Sequence, residues 1–360
     1  MCHLNNLNAS KFSELIESSY DSLYDERSKQ IFKARLELDT DYNLNNFFAL
    51  LEMSSMFQSR QQAIQDILFI RHLLESKSPI YIYGAGVAGK KWCKLLYENG
   101  ANIIGFFDKN YEKISDYMGF PIFPPPTCQL DAYIINCVYL FSNEVHSLLK
   151  AAGFEEKQIF PHFDATQYIL DKQYFDFPDY YTYGIFLDVG CLNCDTSIRF
   201  HKWSNKRYLK IIALEPDPKS MENCKIIAKD QSLSIEFVAA GAYSESGTMS
   251  FSLDINGTSM ITDAGNLLIP VIKLDDIVYG GKVSFLKMDI EGTEYEALQG
   301  ARNLISRDKP LCAISVYHKP GDVLTIMNFL KSIVPEYKFA LRHYSNTDVE
   351  TVLYALYKNS

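Results

Sequence analysis

The chain has 360 residues, 47% of them hydrophobic and 22% charged, the balance of an ordinary globular protein at a length that favours two domains over one. A formal net charge of -9 argues against partners that need a basic face, nucleic acid and anionic membrane among them. The N-terminus lacks the basic start and apolar core of a signal peptide, and no apolar run approaches the roughly 20 residues that span a bilayer, so a cytoplasmic location is expected.

Residues 1–78 read as a helical segment. Leu36, Leu50, Phe57, Ile64, Ile67 and Leu68 recur at helical spacing, and Ser10 to Ser76 contains neither glycine nor proline. A break is expected near Asp39–Asn46, and packing or homo-oligomerisation is the expected role. Residues 79–165 then read as a small Rossmann-like α/β domain. Strand Ile80–Tyr83, a glycine-rich turn, a helix through Leu96, strands Ile103–Phe107 and Ala132–Asn136 and a helix Val145–Ala151 alternate as in a parallel sheet. Pro124–Pro126 is a loop. A linker covers 166–183.

From 184 to 360 the strands read as Ile185–Val189, Ile211–Leu214, Ile235–Val238, Phe285–Met288, Leu311–Val316, Tyr337–Leu341 and Val352–Tyr357. A two-stranded insertion, Thr248–Leu253 and Leu268–Lys273, interrupts the third crossover. The fold class is therefore α/β. A seven-stranded Rossmann-like sheet whose last two strands pair antiparallel is the arrangement of S-adenosylmethionine methyltransferases.

The run FLDVGCLNCDTS puts Asp188 and Gly190 at the carboxyl end of the first of these strands, where open parallel sheets bind ligands. Gly190 permits a tight turn and close approach of a ligand, with Cys191 beside it. Asp188 would hold the ligand or order the loop, and Asp195 or Thr196 would cap the next helix. The second strand ends in ALEPDP. Glu215, followed by Pro216 and about 25 residues beyond Gly190, is placed to accept hydrogen bonds from ribose hydroxyls. Small residues about Ala240 would let an adenine lie against backbone. S-adenosylmethionine has no pyrophosphate, so one glycine turn suffices for it.

The fourth strand ends in FLKMDIEGTEYEALQGA. Asp289 and Glu291 project at the same cleft rim, whereas Thr293 with Glu296 has the capping-box spacing and Glu294 and Glu296 read as helix-start electrostatics. Together with ISVYHKP, LRHYS and ETVLYA, these runs resemble the FkbM family of methyltransferases from about Ile185 to Tyr357. The resemblance implies an S-adenosylmethionine-dependent O-methyltransferase acting on sugars, glycans or other hydroxyls. The family commonly has glycine at the position of Cys194 and alanine at that of Cys191.

Methyl transfer needs an in-line acceptor oxygen and removal of its proton. Asp289 and His318 are the candidate bases. Asp289, Glu291 and His318 would alternatively hold one divalent cation that acidifies the acceptor hydroxyl. Arg342, His343 and Tyr344 are candidates for shaping the acceptor pocket. The chain has eight cysteines, which read as reduced and buried. Cys191 and Cys194 form a C-x-x-C without the second pair that a zinc site would require.

In the first unit, Gly84, Gly86 and Gly89 follow a strand and open a helix, with Asp108 ending the next strand. This is the physical pattern of a dinucleotide site. The unit also resembles the small N-terminal domain of PglD-type sugar acetyltransferases, in YGAGVAGK, GFFDKN and GFPIF. That likeness implies a nucleotide or nucleotide-sugar ligand. Two alternatives to the enzyme reading stay open: a methyltransferase-like binding module that has lost catalysis, with Cys194 as its clue, and a nicotinamide-dependent protein acting through the first unit.

Overall fold

The computed structural model describes residues 9–57, 59–138, 141–161, 172–252, 260–261, 265 and 267–358. The linker expected over 166–183 therefore lies partly outside the described residues. Two compact units emerge, one of 1–36, 173–342 and 350–360, the other of 37–172 and 343–349. This differs from three consecutive blocks. The chain up to Leu36 groups with the C-terminal unit, and a short segment after Arg342 groups with the smaller one.

The N-terminal helices are α1 (Ala9–Asp21), α2 (Glu26–Thr40), α3 (Leu44–Leu51) and α4 (Arg60–Ser76). The break expected near Asp39–Asn46 falls between α2 and α3, where Asn43 caps α3 by accepting from the Asn45 and Asn46 amides. Ile64 and Leu68 face solvent instead of a core, at 38% and 58% exposure, because α4 buries the stripe through Ala63, Ile67, Ile70 and Leu73.

The smaller sheet contains β1 (Pro79–Tyr83), β2 (Asn102–Phe107), β3 (Ile122–Phe123), β4 (Tyr133–Asn136) and β5 (Ile159–Phe160), in the order β3-β2-β1-β4-β5. All of its pairings are parallel. Helices α5 (Val87–Glu98) and α6 (Ser142–Ala151) provide the crossovers. It thus has five strands where periodicity showed three; β3 and β5 are two residues each, too short to generate a pattern.

The larger unit carries β6 (Ile185–Val189), α7 (Asp195–Trp203), β7 (Lys210–Leu214), α8 (Pro218–Asp230) and β8 (Ile235–Val238). After β8 comes a small four-stranded sheet of β9 (Gly241–Ala242), β10 (Gly247–Ser252), β11 (Met260–Ile261) and β12 (Leu267–Ile272). The chain returns to the main sheet through β13 (Val283–Met288), α9 (Glu294–Gln299), α10 (Arg302–Asp308), β14 (Leu311–Ser315), α11 (Asp322–Ile333), β15 (Lys338–His343) and β16 (Thr351–Leu356). The main sheet runs β15-β16-β14-β13-β6-β7-β8; the last two strands are neighbours, and β16 is antiparallel to β14.

Strand order reverses at β6, between β7 and β13, the topological switch point at which ligands bind in open α/β sheets. Aromatic packing fixes the elements around that point. Phe186 of β6 stacks on Phe200 of α7 with ring centroids 4.0 Å apart, and Phe285, Trp203 and Phe175 close about them. A fully buried phenylalanine contributes about 1.5–3 kcal/mol. This cluster therefore clamps α7 onto the sheet and fixes the turn that precedes it. On the far side, α1 packs on α11, where Asn328 donates to Ser19 Oγ and Lys331 to the Ser18 carbonyl.

Candidate active site

The cleft at the switch point has a volume of about 520 Å³ and is walled by the ends of β6, β7 and β13 and by the inserted sheet. The turn after β6 is built for close approach. Gly190 has φ +80°, and a Cβ there would stand 1.9 Å from the Asp289 carbonyl oxygen. Glycine is the residue that fits both the left-handed angle and the gap.

Beneath the turn lies a buried ion pair. Asp188 is fully buried; its Oδ2 accepts from Ser197 Oγ at 2.7 Å, and its Oδ1 lies 3.2 Å from Lys287 Nζ. Lys287 also donates to the Gly190 carbonyl at 2.6 Å and sits over the Tyr174 ring. Burial opposes its charge, but the Asp188 and Asp289 carboxylates outweigh that cost and hold its pKa above the ordinary lysine value. Asp188 therefore orders the loop from below and does not line the cleft.

Cys194 takes the left-handed angle itself, φ +65°, at the N-cap of α7. Its side chain is buried in a cluster with Cys191, Ala213, Cys224 and Ala228. Cys191 and Cys224 have their Sγ atoms 3.7 Å apart. Hydrogen bonding among the thiols and burial push Cys194 and Cys224 up, so these sulfurs stay protonated and act as small apolar groups. Two expectations are corrected here. Cys191 points into this cluster, and neither Asp195 nor Thr196 caps α7, whose N-cap makes no side-chain bond. Asp195 pairs with Arg199 at 2.8 Å, and Thr196 is buried.

Glu215 ends β7 at 6% exposure and lines the cleft. Its Oε2 accepts from the Leu192 amide at 2.9 Å and its Oε1 from the Asp217 amide at 3.0 Å, leaving one lone pair on each oxygen for a ligand. Burial raises its pKa, against those two amides. Pro216, Asp217, Ala240, Gly241, Ala242, Phe251 and Ile261 complete this end as a flat, mostly apolar slot. Gly190, Glu215, Pro216, Ala240 and Asp289 thus line one cleft; Asp188, Cys191, Asp195 and Thr196 do not line it.

At the other end, the turn after β13 presents Asp289 and Glu291. Glu291 has φ +59° and Gly292 φ +100°. Such a turn is held by Glu294, whose Oε1 accepts from the Ile290 amide at 2.9 Å and the Gly292 amide at 3.4 Å. Thr293 makes no capping bond, so the expected Thr293–Glu296 box is replaced by this reach-back from Glu294. Glu294 is 1% exposed, far from the solvated helix-start charge that its position suggested.

Asp289 accepts from Tyr174 OH at 2.7 Å and Tyr317 OH at 3.4 Å. His318 lies against three carboxylates: Nδ1 is 3.0 Å from Glu294, and Nε2 is 3.4 Å from Asp289 and 3.5 Å from Glu291. Burial opposes a charge on the ring, but Glu294, Asp289 and Glu291 outweigh it and push the pKa up to about 10. The three carboxylates thus favour the charged form of the ring over the neutral form that a base would need. Burial drives Glu291 the other way, up to about 7. Glu350 and Gln173 close the pocket behind Tyr174, hydrogen-bonded to each other, with Glu350 pushed up to about 7 by burial and by Asp289.

Arg342, His343 and Tyr344 do not shape this pocket. Arg342 forms an ion pair with Asp25 at 2.6 Å, and His343 and Tyr344 are fully buried and belong to the smaller unit. Sequence reading missed Tyr174, Lys287, Glu294, Tyr317 and Glu350. The one available signal was Lys287 itself, a lone charge in the otherwise apolar run of β13.

In the smaller unit, the turn at Gly84, Gly86 and Gly89 has the expected form. Gly84 has φ +100°, a Cβ at Gly89 would stand 1.9 Å from the Gly84 carbonyl oxygen, and Gly86 has open space. Asp108 is directed inward, its Oδ2 accepting from the Ala85 amide at 2.8 Å and its Oδ1 from Asn110.

A seven-stranded sheet with an antiparallel last strand, a glycine turn after its first strand in sequence, an acid ending the second and a carboxylate turn ending the fourth define a methyltransferase domain. The family model for the methyltransferase FkbM domain matches residues 188–340. The chain is similar to the hexuronic acid methyltransferase AglP of Haloferax volcanii, 29% identical over 128 residues that make up 34% of this chain and 54% of that protein. The match thus spans about half the length of that relative. The crystal structure of a methyltransferase FkbM from Methylobacillus flagellatus KT shares the fold, with 19% identity and a TM-score of 0.50 over 92% of this chain and 99% of the other. Among the described residues, no helix is long and apolar enough to cross a membrane.

Proposed function

We propose that the chain is an S-adenosylmethionine-dependent O-methyltransferase whose acceptor is a hydroxyl of a sugar, nucleotide sugar or glycan precursor. One observation carries this reading. A single cleft joins a glycine turn, a ribose-type acid and a carboxylate turn in the order in which the cofactor's amino-acid, ribose and reactive ends would meet them. Gly190 would admit the amino-acid portion, Glu215 would take the ribose hydroxyls, and the slot through Ala240 would hold adenine. Asp289 would face the sulfonium end. The likeness to a hexuronic acid methyltransferase supports a sugar acceptor.

Bound in this cleft, S-adenosylmethionine would supply an electrophilic methyl group, and the residues at the Asp289 end would hold the acceptor oxygen in line with it. Glu291 is the proton acceptor in this scheme. It lines the cleft and its carboxylate is partly open, at 30% side-chain exposure. His318, held cationic, positions Asp289 and Glu291 instead of taking the proton. Such positioning and general-base terms together supply most of the acceleration available to a displacement with a good leaving group. The Gly84–Gly89 turn would serve a nucleotide or nucleotide-sugar ligand in this reading.

The test is to incubate the full chain with methyl-labelled S-adenosylmethionine and a panel of neutral sugars, uronic acids and nucleotide sugars, and to locate the label by NMR. An O-methyl ether on a sugar is the expected product. Label on nitrogen or carbon alone, or no transfer to any member, would overturn the reading.

A further inference from the structure

Around His318, the polar groups are close but not mutually satisfied. His318 is 8% exposed at its side chain, and neither ring nitrogen makes a hydrogen bond, although carboxylate oxygens stand 3.0 to 3.5 Å away. Glu294 Oε2 is likewise buried with no hydrogen-bond partner, while Oε1 holds the two turn amides. A buried acceptor such as Glu294 Oε2 is unfavourable without a donor or a cation beside it.

A shared cation would remove that cost. Asp289, Glu294 and His318 each bring one ligand-type atom within 4.8 Å of the other two. A divalent ion with oxygen bonds of about 2.1–2.4 Å spans roughly that distance across its coordination sphere. His318 Nδ1 lies 3.0 Å from Glu294 Oε1, so the two side chains already meet beside the unpartnered Oε2. The Tyr174 and Tyr317 hydroxyls on Asp289 are outer contacts of the kind that orient a metal-binding carboxylate. Glu294 takes the place expected for Glu291 in this trio.

We propose that Asp289, Glu294 and His318 form a divalent-cation site at the Asp289 end of the cleft. One imidazole nitrogen and two carboxylate oxygens form a mixed set that suits manganese, zinc or magnesium. The role of the ion rests on the methyltransferase reading: beside the cleft, it would bind and acidify the acceptor hydroxyl.

The experiment titrates manganese chloride into chelator-treated full chain and follows the free-ion signal by electron paramagnetic resonance. Calorimetry with S-adenosylmethionine is run in parallel. One manganese per chain is expected, weakened at least tenfold in Glu294→Gln, which keeps an oxygen for the turn amides, and in His318→Gln. Circular dichroism confirms that each variant is folded, and the second substitution decides the matter if the first does not fold. A full free-ion signal with wild type, or unchanged affinity in a folded variant, overturns the site. Wild type that binds S-adenosylmethionine but no manganese refutes this inference alone. Manganese binding without S-adenosylmethionine binding supports the site and refutes the methyltransferase reading.

Discussion

Replacing Lys287 by methionine is the sharpest perturbation of the cofactor loop. The side chain keeps its approximate volume, but Asp188 remains fully buried without its cation, and the Gly190 carbonyl loses a donor at 2.6 Å. Removing one partner of a buried pair costs about 3–5 kcal/mol, because the other charge stays buried and uncompensated. For a unit of this size, that lowers the melting temperature by roughly 6–20 °C. The assay is thermal and urea denaturation, read on the transition that S-adenosylmethionine shifts upward. Adding Asp188→Asn to the Lys287→Met chain removes the stranded charge, so the double variant should lose less than the sum of the two singles by 1–3 kcal/mol. The exposed Arg60–Glu52 pair, at 62% and 25% side-chain exposure, serves as the control and should be worth no more than about 1 kcal/mol. A Lys287→Met chain within about 0.5 kcal/mol of wild type, or strict additivity with Asp188→Asn, would refute the reasoning.

Gly190→Ala should weaken S-adenosylmethionine binding at least tenfold in calorimetry, since its Cβ has to displace the Asp289 carbonyl and the φ of +80° is strained for any side chain. Glu215→Ala removes a charged acceptor worth about 1.5–3 kcal/mol. S-adenosylmethionine and S-adenosylhomocysteine should weaken by the same ten- to hundredfold, because a ribose contact does not sense the sulfonium; unequal losses would place Glu215 elsewhere. Cys194→Gly relieves about 1–2 kcal/mol of left-handed strain and opens a thiol-sized gap among Cys191, Cys224 and Ala213. The two effects nearly cancel, so stability within about 1 kcal/mol of wild type and retained cofactor binding are expected.

How much of this was legible in the sequence follows the range of the interactions. All seven strands of the main sheet were readable, because each is an apolar run bounded by turn residues. Gly190 and Glu215 were readable because they end two of those strands. The two-residue strands β3, β5, β9 and β11 exist through pairing with distant partners and leave no local period. The same limit left two roles open for Asp188, ligand group or loop anchor, because its partner Lys287 lies nearly a hundred residues away. Glu294 was read as a helix-start charge because the reach-back to Ile290 and Gly292 depends on the left-handed angle of Glu291, which no pattern announces. Cys194 looked like a defect in a glycine position, but its sulfur fills a pocket shared with Cys191 and Cys224, and the loop keeps the left-handed angle.

The claim that organises this account is that the cleft formed by Gly190, Glu215, Ala240 and Asp289 takes S-adenosylmethionine. Isothermal titration of the cofactor into the full chain addresses it with the fewest intervening assumptions. Saturation at one molecule per chain, lost or strongly weakened in Gly190→Ala, is the predicted result. A silent titration of the folded wild-type chain, or binding that survives Gly190→Ala unchanged, would contradict it.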